Sequence, residues 1–125
     1  MSYQTLTLEI DNHVATITMN RPEMMNAFSE QLIWDMGEAT KAVKDDTQIR
    51  ILVITGEGRG FTAGADLNER EASWTDTKDA LERGYYPFLK NIIDMPKPVI
   101  GSINGAAAGI GAAVAMACDL RIMAK

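Results

Sequence analysis

The stretch that decides the fold runs Pro98-Val-Ile-Gly-Ser-Ile-Asn-Gly-Ala-Ala-Ala-Gly-Ile-Gly-Ala-Ala-Val-Ala-Met-Ala-Cys-Asp119. It carries no charged side chain before its final aspartate, and glycine and alanine dominate it. The pattern predicts a buried strand over Val99 to Ile103, a turn at Asn104-Gly105 and a helix over Ala112 to Cys118. A helix that begins without polar caps leaves its first N–H groups unpaired and carries partial positive charge there. Such a start can stabilise an anion or a developing oxyanion.

Two other interpretations of this stretch are open at this point. Its length is close to that of a membrane span, and Gly101, Gly105 and Gly109 have the spacing of a helix-dimerisation face. The prolines at its entrance and the low hydrophobicity of alanine and glycine argue against a span. The stretch is also compatible with a small-residue helix that packs closely on a sheet and has no chemical role.

The composition is that of an ordinary globular chain with an acidic balance. The 125 residues fit one domain, and the formal net charge of −5 without a basic cluster argues against a nucleic-acid partner. The first ten residues resemble neither a signal peptide nor a transit peptide, so we expect a cytoplasmic protein without a membrane partner. Cys118 is the only cysteine and His13 the only histidine. The sequence therefore predicts no disulfide, no Ser-His or Cys-His pair and no metal site.

The chain before this stretch alternates strand and helix patterns. Period-two alternation predicts a hairpin with strands over Leu6 to Ile10 and Ala15 to Met19. Ser29 is a suitable cap for a helix that ends near Asp45-Asp46, and the continuous apolar run Ile51 to Ile54 is typical of a strand covered on both faces. A strand, a helix and a strand in succession predict parallel pairing. The expected apolar face of the first helix is Leu32, Met36, Ala39 and Val43.

The last elements follow the same logic. A second long helix is expected to bury Leu81, Tyr85, Phe88, Leu89 and Ile92, with a kink at Pro87. The final residues, Leu120 to Met123, predict one more strand.

A second glycine-rich stretch, Gly56-Glu-Gly-Arg-Gly-Phe-Thr-Ala-Gly-Ala-Asp-Leu67, follows the predicted strand at 51–54. Gly58, Gly60 and Ala63 match the G-x-G-x-x-A spacing of a dinucleotide-binding turn. That turn runs directly into an apolar helix, whereas the residues after Leu67 are strongly polar. We therefore favour a flexible loop that brings the backbone close to a ligand.

The two glycine-rich stretches, preceded by Asn20-Arg21-Pro22 and Asn26-Ala27, together resemble the enoyl-CoA hydratase/isomerase, or crotonase, superfamily. The resemblance covers nearly the whole chain in the right order. It implies an α/β fold, the crotonase-like ββα superhelix, with residues 1–125 as one domain that represents its N-terminal portion and is incomplete at the C-terminus. It further implies an acyl-CoA thioester as substrate, no cofactor apart from the coenzyme A of the substrate, and a homotrimer or hexamer of the full-length protein.

The resemblance also assigns site residues by motif position. The backbone N–H groups of Ala65 and Ile110 would form an oxyanion hole that stabilises a thioester enolate. Ala63, Asp66, Leu67 and Asn68 would line the coenzyme A moiety, with Glu23, Met24 and Met25 beside its nucleotide end. For Asp66 we favour a loop-bracing role over proton transfer.

One departure from the family pattern bears on the reaction. Hydratases of the superfamily place a catalytic glutamate at the position of Ala113, whereas isomerases, including those of phenylacetate-type degradation pathways, commonly lack it. The sequence therefore favours an enoyl-CoA isomerase, with an enoyl-CoA hydratase or a CoA-thioester binding module without turnover as alternatives. The resemblance also implies that the catalytic carboxylate lies beyond residue 125, since family members are usually about twice this length. Nothing in the sequence distinguishes the carboxylates near the loop from solvated charges: Asp66, Glu69, Glu71, Asp76 and Asp79.

Overall fold

A five-stranded sheet forms the centre of the computed structural model, which describes residues 2–69 and 72–124. The first two strands form an antiparallel hairpin through Asn12 and His13, and every other neighbouring pair is parallel. The predicted hairpin, the parallel pairing across the first helix and the final strand are confirmed. In sheet order the strands are β1 (Leu6–Asp11), β2 (Val14–Met19), β3 (Ile51–Gly56), β4 (Val99–Ile103) and β5 (Leu120–Met123).

Helices cover one face of this sheet. A long helix, α1, begins after Ser29, whose hydroxyl accepts a hydrogen bond from the Leu32 amide at 3.2 Å, as expected of an N-cap. A second helical region changes from a short α2 through a wider π-helical turn at Ala80–Tyr85 into α3, and Pro87 lies inside this continuous helix, directly after the wider turn. The helices are α1 (Glu30–Asp45), α2 (Thr77–Asp79), α3 (Tyr86–Ile93) and α4 (Ile110–Ala117).

The core lies between the sheet and the helices. The inward residues of β2 and β3 alternate with half-exposed ones, and Ile17, Leu52 and Ile54 are fully buried. The prediction that β3 is covered on both faces is wrong, because Ile51 and Val53 on its outer face are only half-buried. A β-branched run promotes strand formation whether one face or two are covered, so the composition could not separate these cases.

The alanine- and glycine-rich stretch from Pro98 to Asp119 forms β4, a bend and α4. The helix begins at Ile110, two residues before the predicted start, and has 8 residues. Throughout the part of the chain that the structure describes, no helix is long and apolar enough to cross a membrane.

Candidate active site

The two glycine-rich stretches run side by side with their backbones in contact. Thr62 pairs with Ala107 in a short parallel bridge, in which the Thr62 amide donates to the Ala106 carbonyl at 3.2 Å and the Thr62 carbonyl accepts from the Ala108 amide at 3.1 Å. A Cβ atom at Gly64 would lie 2.8 Å from the Ala108 carbonyl oxygen, and φ at Gly64 is +99°. Only glycine permits this combination of close approach and left-handed backbone. Residues 64–65 are thereby held against residues 108–110.

The Ala65 amide is left free by the way its neighbours pair. Ala65 forms a parallel bridge with Phe28. The hydrogen bonds of that bridge are made by Gly64 and Asp66, the residues on either side of Ala65. The Phe28 amide donates to the Gly64 carbonyl at 2.7 Å, and the Asp66 amide donates to the Phe28 carbonyl at 3.0 Å. In such a bridge the N–H of the central residue points away from the partner strand. Among residues 2–69 and 72–124, the Ala65 amide donates no hydrogen bond, and Ala65 is exposed.

The Ile110 amide is free for a different reason. Ile110 is the first residue of α4, so its amide is one of those at a helix start that have no partner within the helix. The Ala106 carbonyl oxygen, four residues earlier, accepts hydrogen bonds from the Phe61 and Thr62 amides at 3.1 and 3.2 Å. The hydrogen bonds within the described ranges include none donated by the Ile110 amide. Two unpaired N–H groups thus stand on adjoining loops, one of them at the positive end of a helix.

Two asparagine side chains hold the first glycine-rich loop in place. Asn26, which is fully buried, donates to the Glu57 and Gly60 carbonyls at 2.9 Å each. Asn104 donates to the Gly58 carbonyl at 2.9 Å and accepts from the Gly56 amide at 3.2 Å. The loop predicted to be flexible is therefore anchored from both sides. Sequence reasoning assigned Asn104 only to a turn, because its contacts lie more than 40 residues away in the chain.

An ion pair braces the loop next to the free Ala65 amide. Arg21 Nη2 lies 3.1 Å from Asp66 Oδ2, and both side chains are largely buried. The Arg21 guanidinium also donates to the Ala27 carbonyl, and Asp66 Oδ1 accepts from the Asn68 amide at 3.0 Å. These contacts are those of a bracing carboxylate. Arg21 was noted in the sequence only as part of a motif, and its partner was not predicted.

The other residues assigned to coenzyme A lie on the surface near this brace. Met25 accepts a hydrogen bond from the Ala63 amide at 2.9 Å, which places the turn with Glu23 and Met24 beside the glycine loop. Leu67 is 93% exposed, an unusual degree for an apolar side chain, and Asn68 is exposed beside it. The structure thus brings the predicted binding residues to one side of the molecule, and their role in binding coenzyme A stays a prediction.

The comparison with known proteins bears directly on this arrangement. The enoyl-CoA hydratase/isomerase family model matches residues 9–125, which includes both glycine-rich loops. The chain belongs to the enoyl-CoA hydratase/isomerase family. The predicted superfamily and its fold class are therefore confirmed.

Relatives within the family carry both isomerase and hydratase names. The chain is 42% identical over 120 residues to 1,2-epoxyphenylacetyl-CoA isomerase of Escherichia coli K12, covering 93% of this chain and 46% of that protein. It is 40% identical over 118 residues to (E)-benzylidenesuccinyl-CoA hydratase of Thauera aromatica, covering 94% and 46% respectively. The chain thus spans about half the length of the curated relatives that it matches.

A solved structure agrees with the fold. An enoyl-CoA hydratase/carnithine racemase from Magnetospirillum magneticum superposes with a TM-score of 0.86 at 29% identity, covering 96% of this chain and 46% of that one. The five-stranded sheet and its helices are therefore one portion of the crotonase-like fold.

A cavity of about 210 Å³ adjoins the loop that carries the Ala65 amide. Ala65, Asp66 and Glu69 line it at that loop, and most of its other walls are apolar. Burial, with the nearby charges of Glu69 and Asp66, raises the pKa of Tyr85 to about 12, so its hydroxyl is neutral at physiological pH. The larger apolar and aromatic walls are Phe28, Ile33, Trp74, Leu81 and Tyr85.

A larger groove lies elsewhere and contains none of the predicted site residues. It measures about 780 Å³ and runs between α1 and the π-helical turn and α3, with Trp34, Lys41 and Tyr86 among its walls. Size alone does not identify the active site, because Ala65 lines the smaller cavity, whereas neither Ala65 nor Ile110 lines the larger groove.

The carboxylates near the loop are occupied by structural partners. Asp66 holds Arg21, and Glu69 accepts from the Glu30 amide at 2.9 Å at the start of α1. Asp76 accepts from the Asp79 amide at 2.8 Å, and Asp79 pairs with Arg83 at 2.6 Å. Glu71 lies outside the described residues. The structure therefore gives none of these four described carboxylates a distinctive catalytic setting.

The structure also bears on the dinucleotide-binding alternative and on the position of Ala113. The dinucleotide-binding alternative required a helix directly after Ala63, but residues 64–69 and 72–76 are not helical. Ala113, at the position where the resemblance puts the hydratase glutamate, is half-buried on α4 about one turn after Ile110.

Proposed function

We propose that the protein is an enoyl-CoA isomerase that binds the thioester oxygen of its substrate between the Ala65 and Ile110 amides. The observation that carries this proposal is the pair of unpaired N–H groups on two loops held in backbone contact. Backbone donors that are fixed before the reaction need no rearrangement as negative charge develops. Each such donor contributes roughly 3 to 4 kcal/mol of transition-state stabilisation.

The chemistry that suits this site is proton transfer next to a thioester. Removal of a proton from the carbon α to the carbonyl places charge on the thioester oxygen, where two N–H donors and the start of α4 oppose it. Return of the proton at the γ carbon moves the double bond from the 3,4 to the 2,3 position, so no atom is gained or lost. We propose that the base is a carboxylate outside residues 1–125, which agrees with the structural partners of Asp66, Glu69, Asp76 and Asp79.

Ala113 favours isomerisation over hydration. Hydration requires a group that positions and activates water, and a methyl side chain supplies neither a charge nor a hydrogen bond. One relative is named an isomerase and another a hydratase, so an assay must decide between isomerisation and hydration.

The substrate class follows from the family and the cavity. We propose an acyl-CoA thioester in which the coenzyme A lies along the surface formed by Glu23, Met24, Met25, Ala63, Leu67 and Asn68. The acyl group enters the aromatic-lined cavity, and the names of two relatives, both of which describe phenyl-bearing acyl groups, support a compact aromatic acyl group. We further propose, from the family resemblance, that the full-length protein is a cytoplasmic homotrimer or hexamer.

Parallel assays of the full-length protein test the proposal. With 3-enoyl-CoA we expect the absorbance of the conjugated thioester to rise, and with 2-enoyl-CoA we expect little loss of it. Rapid loss of the conjugated absorbance from 2-enoyl-CoA would instead establish a hydratase. Binding of acetyl-CoA in a calorimetric titration without turnover of either enoyl substrate would favour the binding module.

A further inference from the structure

The side chain of Tyr85 is almost wholly buried, and its hydroxyl group remains accessible to a ligand. Tyr85 is 7% exposed, yet within the described parts of the chain its hydroxyl has no hydrogen-bond partner. Within the described residues no buried side-chain nitrogen or oxygen lacks a hydrogen-bond partner, so the small exposed part of Tyr85 includes its hydroxyl. Its ring is well anchored by Phe28 and Phe88, with centroids 5.7 and 6.1 Å away. A fixed ring with a free hydroxyl is suited to binding a ligand.

The hydroxyl belongs to the cavity beside Ala65. Tyr85 lines that cavity together with Asp66 and Glu69, and both carboxylates lie close enough to influence the phenol electrostatically. The hydroxyl therefore lies toward the end of the cavity that carries the free Ala65 amide. An acyl group whose thioester oxygen is held by Ala65 would extend past this hydroxyl.

We propose that Tyr85 is a specificity-determining residue that donates a hydrogen bond to a neutral oxygen substituent on the acyl group of the substrate. This inference rests on the proposed function, because it assigns the cavity to the acyl group of a bound thioester. The neighbouring Asp66 and Glu69 carboxylates disfavour an anionic substituent, whereas a hydroxyl, keto or ether oxygen can accept the hydrogen bond. The apolar walls fit the rest of a compact or aromatic acyl group.

The test compares ligands that differ in one oxygen. Phenylacetyl-CoA and its 2-, 3- and 4-hydroxy derivatives are titrated calorimetrically into full-length wild-type protein, Tyr85→Phe and Tyr86→Phe. Tyr85→Phe keeps the ring that packs on Phe28, and Tyr86→Phe is the matched control, because Tyr86 lines the other groove and not this cavity. We expect wild type and Tyr86→Phe to bind at least one hydroxylated ligand about 3- to 10-fold more tightly than phenylacetyl-CoA. In Tyr85→Phe we expect that hydroxylated ligand and phenylacetyl-CoA to bind with equal affinity.

Each other outcome has a distinct meaning. If wild-type protein binds all four ligands equally, the proposed role of Tyr85 is wrong and the thioester site is unaffected. The same conclusion follows if Tyr85→Phe still prefers a hydroxylated ligand. Wild-type protein that binds none of the four, and no acetyl-CoA, overturns the proposed function and this inference together.

Discussion

Arg21 and Asp66 form a largely buried ion pair, 3.1 Å between Nη2 and Oδ2, that joins two loops 45 residues apart in the chain. The Asp66 side chain is only 7% exposed, so removal of Arg21 would leave a buried carboxylate without its cation. The pair fixes the residue that follows Ala65, and it therefore couples the stability of the fold to the position of a proposed catalytic donor.

Replacement of Arg21 by methionine is expected to lower the free energy of unfolding by about 2 kcal/mol, because it leaves a buried carboxylate without its cation. Urea denaturation of the full-length protein measures the change. The control is Lys41→Met, which breaks the Lys41–Asp45 pair, whose side chains are 70% and 60% exposed. Exposed pairs of this kind contribute about 0.5 kcal/mol or less. Equal losses in the two variants would contradict the bracing role of Arg21.

Gly64→Ala is expected to reduce kcat/KM for 3-enoyl-CoA by about 100-fold, because the new Cβ would separate the loops that carry Ala65 and Ile110. The matched control is Gly37→Ala on α1, where a Cβ atom has no neighbour within 4 Å. That variant should retain activity and gain about 0.5 to 1 kcal/mol of stability, since alanine favours the helix more than glycine does. Wild-type kinetics in Gly64→Ala would show that the close contact between the two loops is not needed for catalysis.

Ala113→Glu is expected to raise the rate of 2-enoyl-CoA hydration about 10-fold above the wild-type background. The new carboxylate would stand one helical turn beyond the Ile110 amide, and a positioned general base typically contributes about 100-fold or more when its geometry is optimal. Ala112→Glu places the same charge on the neighbouring half-buried position of α4 and should leave hydration unchanged. A similar gain in both variants would indicate a non-specific effect of the added charge.

The stability of the protein is expected to fall as the pH rises above about 9. Burial raises the pKa of the Cys118 thiol to about 11 from an ordinary value near 9. Between these values the unfolded chain has lost the thiol proton while the folded chain keeps it, so unfolding becomes more favourable with increasing pH. Cys118→Ala should remove a contribution of roughly 2 kcal/mol between pH 9 and 11.

Denaturation curves at pH 8, 9, 10 and 11 measure this slope in both proteins. Tyr85 adds a similar dependence at higher pH, because its pKa is raised to about 12. Because Tyr85 is present in both proteins, their slopes differ most between pH 9 and 11, the interval between the ordinary and the raised pKa of Cys118. Parallel slopes across that interval would contradict the assignment to Cys118.

Elements with a strong hydrophobic period could be predicted from the sequence. The buried positions of α1 and the register-defining alternation of β2 follow directly from local patterns, and Ser29 caps α1 as expected. The resemblance to the family placed Ala65 and Ile110, and the structure brings their loops together. The free amide of Ile110 follows from its place at a helix start, whereas that of Ala65 could not be derived from spacing, because it depends on how Gly64 and Asp66 pair with the distant Phe28.

The remaining features depend on contacts across long chain separations. The sequence placed Tyr85 on the apolar face of a helix, which is correct, but a free hydroxyl at the end of that side chain leaves no trace in a periodic pattern. Asn104 likewise has an ordinary turn context, while its amide group joins β3 and the glycine loop more than 40 residues away. Side-chain hydrogen bonds of this kind become visible only when the backbone has been placed.

The two free N–H groups described above belong to the main chain, and this affects how the site could be found by mutagenesis. An alanine scan would pass over both donors, because position 65 is already alanine and replacement of Ile110 keeps its amide. Proline, or an ester in place of the amide bond, is needed to delete either donor. Scanning would instead register Gly111, where a Cβ atom would lie 2.6 Å from the Thr62 carbonyl oxygen, and so would assign the effect to a residue that supplies neither of the two donors.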